Sequence, residues 1–426
     1  MQLRRRAFLQ GCLSWGAAAS GLGQLACSNG AEPDGSGGGG AGGSGGAPAA
    51  VPFGPLVADP EGILDLPEGF SYVILERTGD VMSDGHAMGD RPDGMACFDG
   101  PDGTYVLMRN HESDEGASPE PSLAYNPNML GGVSRVVVDR ESLARLGSNW
   151  VLCGTHHNCA GGPSPWGWLS CEESTLPQHG YVFVCDPAAE QTQPPQRAPS
   201  LGCFKHEAVA VDPKTEIFYL TEDQSSSALY RHLPIDGPFV GRLQALKVRG
   251  RDNVALSEGL SVGDRLEIEW VDVDDAEGTE LSTFEQASAR GAAVVVRGEG
   301  IWFSEGSIFF VSTEGGPAGL GQVFRLDPEG DSGAITLIAQ AEDDQSLINP
   351  DNITVSPAGQ VFVVEDNNGP NHIWRIGDDG EVEAFARNAS NGGVSEFCGV
   401  CFSPDGKVMF VNMQEEGLTF AIRGPF

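Results

Sequence analysis

Residues 217–223 read Ile-Phe-Tyr-Leu-Thr-Glu-Asp, an apolar run that ends in two acidic side chains. The same pattern, an apolar segment with a polar or acidic end that follows a turn containing Gly or Pro, occurs at five other places. Those places are residues 105–112, 168–173, 308–314, 361–367 and 408–414. Short apolar runs bounded by turn residues predict β-strands, and regular recurrence of such runs is typical of a ring or array of repeated sheets.

The spacing of the copies indicates what kind of repeat they form. Their ends lie about 50 to 60 residues apart, which fits one four-stranded propeller blade with its loops. One interval is longer, from Glu222 to Glu314, and we expect it to hold an insertion at about 233–290. Helical periodicity is nearly absent, and a β-sandwich would not predict six similar hairpins. The sequence therefore predicts an all-β fold, a six-bladed β-propeller.

A second row of polar residues precedes most of these hairpins. It consists of Asp93, Glu207, Glu299, Asp351 with Asn352, and Glu396. In an antiparallel hairpin the start of the first strand and the end of the second lie at the same edge, so both rows should meet at one mouth of the central channel. Crowded carboxylates repel each other unless cations neutralise them. We therefore predict a metal site at that mouth.

The types of side chain indicate which metals would bind. Oxygen ligands from Asp, Glu and Asn suit calcium, whereas the thiol of Cys171 would be a soft ligand that favours a transition metal, iron before zinc. Cys171 could instead be a buried small residue or half of a disulfide. Local disulfide candidates are Cys153 with Cys159 and Cys185 with Cys203.

Several motifs along the chain match those of a known family. They are Asn110-His111-Glu112, Asn158-Cys159-Ala160-Gly161-Gly162, Cys171-Glu172-Glu173, His206-Glu207-Ala208, Thr221-Glu222-Asp223, Arg297-Gly298-Glu299-Gly300, Pro350-Asp351-Asn352 and Glu365-Asp366. From Arg91 to the C-terminus the chain resembles the PhoX alkaline phosphatases, exported six-bladed propellers that carry iron and calcium. It departs from the family pattern at two places. In Trp166-Gly167-Trp168 the residue, usually Thr, that the family tends to have between the Gly and the second Trp is missing, and Glu415-Glu416 stands where His-Pro is common.

The resemblance implies roles for individual residues. Cys171, Glu207 and Glu299 would bind iron, as a pair of Fe³⁺ ions. Several Ca²⁺ ions would be held by Glu173, Glu222, Asp223, Glu314, Asp351 and Glu365. Arg297 and Asn110 would contact the phosphate of the substrate.

The implied activity is alkaline hydrolysis of small phosphate monoesters. A phosphate dianion can enter an acidic pocket only if bound metals make that pocket net positive. The alternatives are a calcium-dependent lactonase-type hydrolase propeller and a non-catalytic calcium-binding propeller. The first would leave Cys171 and Arg297 without a role, and the second would hydrolyse nothing. A formal net charge of −35 argues against nucleic acid as a partner.

The N-terminal segment predicts export. Residues 1–27 contain Arg4-Arg5-Arg6, then Ala7-Phe8-Leu9 and a weakly apolar stretch, which suits the twin-arginine export machinery. Cys27 is either a site for a lipid anchor or an ordinary small residue near a cleavage site. Residues 28–50 are rich in Gly and predict a flexible tether. Residues 51–426 would form the catalytic domain of a monomer that is periplasmic, anchored to the outer membrane, or secreted.

Replacing both Arg5 and Arg6 by Lys should keep the precursor inside the cell, because the twin-arginine pathway reads the paired guanidinium groups of its signal. Cell fractionation followed by an activity assay measures this. Unchanged appearance of active protein outside the cytoplasm would contradict the assignment of the signal.

Overall fold

The computed structural model describes residues 53–377 and 379–426, so the predicted signal and tether lie outside the described residues. In chain order the first strands are β1 (Leu56–Val57), β2 (Leu64–Pro67), β3 (Ser71–Arg77), β4 (Pro92–Asp99), β5 (Thr104–His111), β6 (Gly131–Asp139), β7 (Arg145–Thr155), β8 (Asn158–Ser164), β9 (Gly167–Glu172) and β10 (Val182–Cys185). Then come β11 (His206–Val211), β12 (Phe218–Glu222), β13 (Tyr230–Pro234), β14 (Gly241–Val248), β15 (Arg265–Val273), the helix α1 (Thr283–Ser288), β16 (Gly298–Ser304) and β17 (Ser307–Ser312). The last are β18 (Gln322–Glu329), β19 (Ser332–Gln340), β20 (Pro350–Val355), β21 (Val361–Glu365), β22 (His372–Ile376), β23 (Val382–Asn388), β24 (Phe397–Phe402), β25 (Val408–Met413) and β26 (Leu418–Arg423).

These strands form antiparallel meanders. The sheets are β4 to β7, β8 to β10, β11 to β19, β20 to β23 extended by β2 and β1, and β24 to β26 completed by β3. The strands β4, β8, β11, β16, β20 and β24 each pack against the next one, and β24 packs against β4. The fold is therefore all-β and propeller-like. In the described part of the chain, no helix is both long and apolar enough to cross a bilayer.

The strand β3 closes the ring of sheets. It pairs with β26, so a segment from the N-terminal side of the domain supplies the outer strand of the last sheet. Phe420 of β26 lies opposite Ile74 of β3, and Phe420 also packs against Tyr72 with ring centroids 5.6 Å apart. The ends of the domain are thus tied to each other by a strand ladder.

The insertion predicted at 233–290 begins later than expected. Strand β14 belongs to the regular meander, because it pairs with β13 along Tyr230 to Pro234. The true addition is β15, which pairs with β14 on one side and with β19 on the other, and so joins two meanders into one sheet. Pairing covers two edges that would otherwise expose unpaired backbone groups. The helix α1 then begins with a capping box between Ser282 and Glu285.

The six strands of the inner ring share a β-bulge close to their starts. In β4, for example, Pro92 lies opposite His111 and Met95 lies opposite Arg109, so three steps on one strand match two on its partner. Equivalent register shifts occur at Asn158/Gly161, His206/Val209, Gly298/Ile301, Pro350/Ile353 and Cys398/Cys401. A bulge redirects a side chain locally. Here it decides which residues face the channel.

Glycines allow the inner strands to approach each other closely. A Cβ atom added to Gly162 of β8 would lie 1.7 Å from the Val209 carbonyl oxygen of β11. One added to Gly94 of β4 would lie 2.4 Å from the Ala160 Cα of β8. Because both obstacles are backbone atoms, a side chain could be accommodated only by separating the strands.

We expect Gly162→Ala to lower the free energy of unfolding by at least about 1–3 kcal/mol, the usual cost of overpacking a well-packed interior. Urea denaturation followed by tryptophan fluorescence measures this change. The matched control is Gly369→Ala, where the added Cβ would meet only the Asn367 side chain, at 3.1 Å. Equal stability of the two variants would show that the inner strands can move apart at little cost.

Candidate metal centre

A polar cavity of about 130 Å³ lies where the inner strands begin. Its lining residues are almost all charged, and come from every sheet. They are Arg91, Asp93, Glu112, Cys159, Glu173, Glu207, Asp223, Arg297, Glu299, Thr313, Asp351, Asp366, Glu396 and Gln414. Nine carboxyl groups in this set therefore face two guanidinium groups.

The bulges place the first set of these side chains. Asp93, Cys159, Glu207, Glu299 and Asp351 each directly follow the first bulge-flanking residue of an inner strand. In the sixth inner strand the equivalent position is Gly399, and its Cβ would lie 2.3 Å from the Asp93 carbonyl oxygen. A side chain is therefore excluded there, and this sheet contributes Glu396 to the cavity instead.

The second set follows the ends of the neighbouring strands. Glu112, Glu173, Asp223, Thr313 and Asp366 each come directly after the residue that pairs with the start of the inner strand. Because side chains alternate between the two sides of a strand, the residue before each of them points elsewhere. This alternation separates the cavity residues from acidic neighbours in the sequence.

Glu222 and Glu365, two of the predicted calcium ligands, lie on that other side. Glu222 Oε2 accepts a hydrogen bond of 2.7 Å from the Tyr230 hydroxyl. Glu365 accepts hydrogen bonds from the backbone amides of Ile348, at 2.7 Å, and His372, at 2.9 Å. Glu222 thus contacts a neighbouring strand and Glu365 holds a loop, and neither lines the cavity.

Asn110 and Glu314 also lie apart from the cavity lining. The buried Asn110 Nδ2 donates to the carbonyl oxygens of Cys159, at 3.0 Å, and Ala160, at 2.6 Å, and its Oδ1 accepts from Trp168 Nε1 at 2.8 Å. Asn110 therefore supports the bulge that carries Cys159 rather than facing a substrate. Glu314 is half exposed and contacts Arg297 Nη1 at 3.4 Å.

The position of Cys171 differs from the prediction. Its side chain is fully buried in an apolar cluster with Leu169, Val182 and Leu220, and burial raises the pKa of its thiol. Strand β9 is the second strand of its sheet, so its side chains face the neighbouring sheet, and only Glu173 beyond its end reaches the cavity. The interpretation of Cys171 as a metal ligand was wrong for that reason.

Cys159 is the cysteine that lines the cavity. Its Sγ lies 3.2 Å from Glu207 Oε1 and 3.8 Å from Asp93 Oδ2. All eight cysteines of the described chain are free, so neither of the two candidate pairs, Cys153 with Cys159 and Cys185 with Cys203, is joined by a disulfide in this structure. The motif that contains Cys159 was visible in the sequence, but its orientation depends on the bulge in β8.

Of the predicted site residues, the structure brings six together in the cavity. They are Arg297, Glu207, Glu299, Glu173, Asp223 and Asp351. Cavity residues that the prediction left unassigned include Glu112, Asp366, Arg91 and Cys159. A pattern in the sequence marks part of this set. Five times, a residue with a nitrogen-bearing side chain lies two positions before an acidic residue or Cys. The five places are Arg91-Pro-Asp93, His157-Asn-Cys159, Lys205-His-Glu207, Arg297-Gly-Glu299 and Asn349-Pro-Asp351.

We call these nitrogen-bearing residues the basic belt and define it as Arg91, His157, Lys205, Arg297 and the neutral Asn349. Four of them have left-handed backbones, with φ of 43° at Arg91, 46° at His157, 49° at Arg297 and 47° at Asn349. Non-glycine residues adopt this conformation only where the surroundings hold it. Its recurrence before four inner strands shows that it belongs to the architecture of the site.

Three members of the basic belt contact a carboxylate at the end of the preceding hairpin. Arg297 Nε donates to Asp223 Oδ1 at 2.8 Å, Lys205 Nζ contacts Glu173 Oε1 at 2.5 Å, and His157 Nδ1 contacts Glu112 Oε1 at 3.3 Å. Burial opposes ionisation of Asp223, but the hydrogen bonds from Arg297 hold its pKa below the usual value. The outer carboxylates are thereby neutralised by the protein itself.

The deeper carboxylates have less compensation, because Glu299 is the one among them that a described cationic side chain contacts, through Arg297 Nη2 at 2.9 Å. Burial, reinforced by neighbouring carboxylates, raises the pKa of Asp93, Glu207, Glu299, Asp351 and Glu396 well above the usual values. Burial also raises the pKa of Glu173 to about 7. The deepest part of the cavity therefore requires either protons or cations.

The side chains present fit metal ions. Glu207 Oε2 is buried and has no hydrogen-bond partner among the described residues. Cys159, Glu173 and Glu207 can direct ligand atoms to within 4.8 Å of one another, and so can Asp93, Glu112 and Cys159. Carboxylate oxygens with one thiol are a donor set that accommodates both hard and softer cations.

The family described as Alkaline phosphatase PhoX matches residues 51–417. The chain belongs to this family. The protein is accordingly a metal-dependent phosphatase that acts on phosphate monoesters. The expected family resemblance and the expected class of activity are both confirmed. No curated protein sequence matches the chain significantly.

Solved structures of similar fold include PhoX of Pseudomonas fluorescens in complex with vanadate, a transition-state analogue. It has a TM-score of 0.69 at 18% identity, over 89% of this chain and 97% of that one. A protein of unknown function from Bacteroides thetaiotaomicron has a TM-score of 0.47 at 11% identity, over 83% and 76% of the two chains. A gluconolactonase from Xanthomonas campestris has a TM-score of 0.43 at 12% identity, over 89% and 99%. At these identities the likeness shows the fold alone.

We expect Cys159→Ser to lower the affinity for metal at the cavity by at least about tenfold and to lower phosphatase activity with it, since a hydroxyl is a much poorer ligand than a thiolate. Elemental analysis after dialysis and an aryl phosphate assay measure the two effects. The matched control is Cys171→Ala, which should leave the metal content unchanged. The reverse result for the two cysteines would overturn the placement of Cys159 as the ligand.

Proposed function

We propose that this PhoX-family protein hydrolyses small phosphate monoesters at alkaline pH, using a mixed centre of two Fe³⁺ and several Ca²⁺ ions at the mouth of a six-bladed propeller. The observation that carries the proposal is a small cavity lined by nine carboxyl groups, a single thiol, and the guanidinium groups of Arg91 and Arg297. A cavity with this many buried acids can attract a phosphate dianion only after cations have reversed its charge.

The count of six blades rests on the contacts of the inner strands. Each of β4, β8, β11, β16, β20 and β24 begins a meander and packs against the next, and the last of them packs against the first. In this reading β11 to β14 and β16 to β19 are separate blades that β15 joins at their outer edges. Strand β15 is therefore an extra outer strand between the third and fourth blades, and it leaves the central channel unchanged.

The proposed division of ligands follows donor chemistry. Iron would be bound by Cys159 together with Glu207 and Glu299, because the thiolate is the one soft donor in the cavity. Calcium would be bound by the oxygen-only part, which includes Glu173, Asp223 and Asp351. Asp93, Asp366 and Glu396 are further carboxylates within reach of that part. Cys159 takes the role first assigned to Cys171.

The chemistry that bound metal ions supply here is neutralisation of the phosphoryl oxygens and activation of a water nucleophile. The protein contributes orientation. Arg297 is fixed by Asp223 Oδ1 at 2.8 Å and by Glu299 Oε1 at 2.9 Å, and a third of its side chain stays exposed. Its Nη1, which among the described residues contacts only Glu314 Oε1 at 3.4 Å, is the nitrogen left to donate to equatorial phosphoryl oxygens. Arg91, paired with Glu112, lines the same cavity.

We further propose that the protein acts outside the cytoplasm. Export would use the twin-arginine machinery through residues 1–27, and residues 28–50 would form a tether that a lipid on Cys27 could anchor. Support comes from the cysteines: all eight in the described chain are free, as suits folding and metal loading in a reducing compartment before export. The product would be a monomer that is periplasmic, attached to the outer membrane, or secreted.

The test is hydrolysis of an aryl phosphate at alkaline pH by Arg297→Ala. Turnover should fall by roughly 10², the usual effect of removing a charged contact to the transition state, while the metal content stays near the wild-type level. The matched control is Arg325→Ala, an arginine whose partner Asp327 belongs to a surface pair outside the cavity. Lack of phosphate release by fully metallated wild type would disprove the proposed activity.

A further inference from the structure

A second group of potential ligands lies beside the cavity but outside its lining. It consists of Asp114, which follows β5, and of His156 and His157, which connect β7 to β8. We call it the rim cluster. Its ligand atoms lie within 4.8 Å of one another, and neither His156 nor Asp114 belongs to the lining of the cavity. The proposed phosphatase chemistry gives Asp114 and His156 no role, and gives His157 only its contact with Glu112.

The two imidazole rings are oriented in the same way. His156 Nδ1 lies 3.0 Å from the Ser174 hydroxyl, and His157 Nδ1 lies 3.3 Å from Glu112 Oε1. Their Nε2 atoms lie 3.7 Å and 2.5 Å from the same atom, Asp114 Oδ1. Histidines that bind metals are held in this way, with one ring nitrogen fixed by a polar neighbour and the other directed at the ion.

The backbone keeps this arrangement in place. His157 has a left-handed φ of 46°, its N–H donates to the Ser113 carbonyl at 3.1 Å, and its carbonyl accepts from the Glu173 amide at 2.8 Å. A strained conformation fixed by hydrogen bonds on both sides is typical of functional positions.

We propose that the rim cluster binds one divalent transition cation of the Zn²⁺ class, separate from the metals of the cavity. Two imidazoles and one carboxylate are a common ligand set for zinc and are unsuited to calcium. Metal–ligand bonds of about 2.0–2.1 Å in a tetrahedron place ligand atoms about 3.3 Å apart. The 3.7 Å pair is close to that value, and the shorter pair needs only an outward movement of Asp114, whose side chain is 71% exposed.

The position of the site gives the ion a route to influence the cavity. His157 would bind the cation through Nε2 while its Nδ1 keeps the contact with Glu112, which lines the cavity. The Asp114 side remains open to solvent, so the ion would keep a coordination position for water. This inference does not depend on the proposed phosphatase activity, because it concerns binding alone.

The experiment is equilibrium dialysis of the full chain, loaded with its native metals, against micromolar Zn²⁺. Elemental analysis then gives the bound zinc, iron and calcium per chain. Wild type should bind one Zn²⁺ more than Asp114→Asn or His156→Ala, with iron and calcium equal in all three. Ser174→Ala, which removes the group that orients His156, should weaken zinc binding by roughly 10-fold.

The control is His86→Ala, which removes a histidine whose side chain lies on another loop and should bind zinc as wild type does. Asp114→Asn changes an exposed side chain, so the test does not depend on a variant that fails to fold. The proposal fails if wild type binds no zinc, in which case the rim cluster is only a network of hydrogen bonds. It also fails if Asp114→Asn and His156→Ala retain the ion with unchanged affinity, because zinc then lies elsewhere.

Discussion

Mutual repulsion among buried carboxylates is the constraint around which this protein is organised. Asp93, Glu207, Glu299 and Asp351 come from four different inner strands and meet in one small cavity, where burial and proximity both oppose their ionisation. No arrangement of this kind is stable with all its charges uncompensated. Basic side chains of the protein neutralise the outer carboxylates, and we propose that metal ions neutralise those in the centre.

The basic belt also contributes to the architecture. Each member of the basic belt precedes an inner strand, and His157, Lys205 and Arg297 each contact a carboxylate at the end of the preceding hairpin. The contacts that lower the electrostatic cost of the cavity therefore also fix the positions of neighbouring sheets. Lys205 contacts both Glu173 and Asp223, and so links two sheets at the edge of the cavity.

The bulges explain why a regular fold produces an irregular site. Without the extra residue, the side chains at Asp93, Glu207 and Glu299 would follow plain alternation with the rest of their strands. The bulge allows a buried apolar strand to begin with one residue that faces the channel. At Gly399 the bulge supplies no side chain to the channel, because the close approach of the Asp93 backbone leaves no room for one.

The repeat of apolar runs was enough to predict an all-β, propeller-like fold, because alternation and turn chemistry are local properties of the chain. It also placed Glu207, Glu299 and Asp351 at a common mouth, since the start and end of a hairpin meet in any antiparallel sheet. Local pattern could not distinguish Glu222 from Asp223 or Glu365 from Asp366. Neighbouring side chains point to opposite sides of a strand, so a shift of one residue in the strand register changes which of the two faces the cavity. Nor could it distinguish Cys171 from Cys159. That choice depends on which strand lines the channel and where its bulge lies, and both are set by packing between sheets distant in sequence.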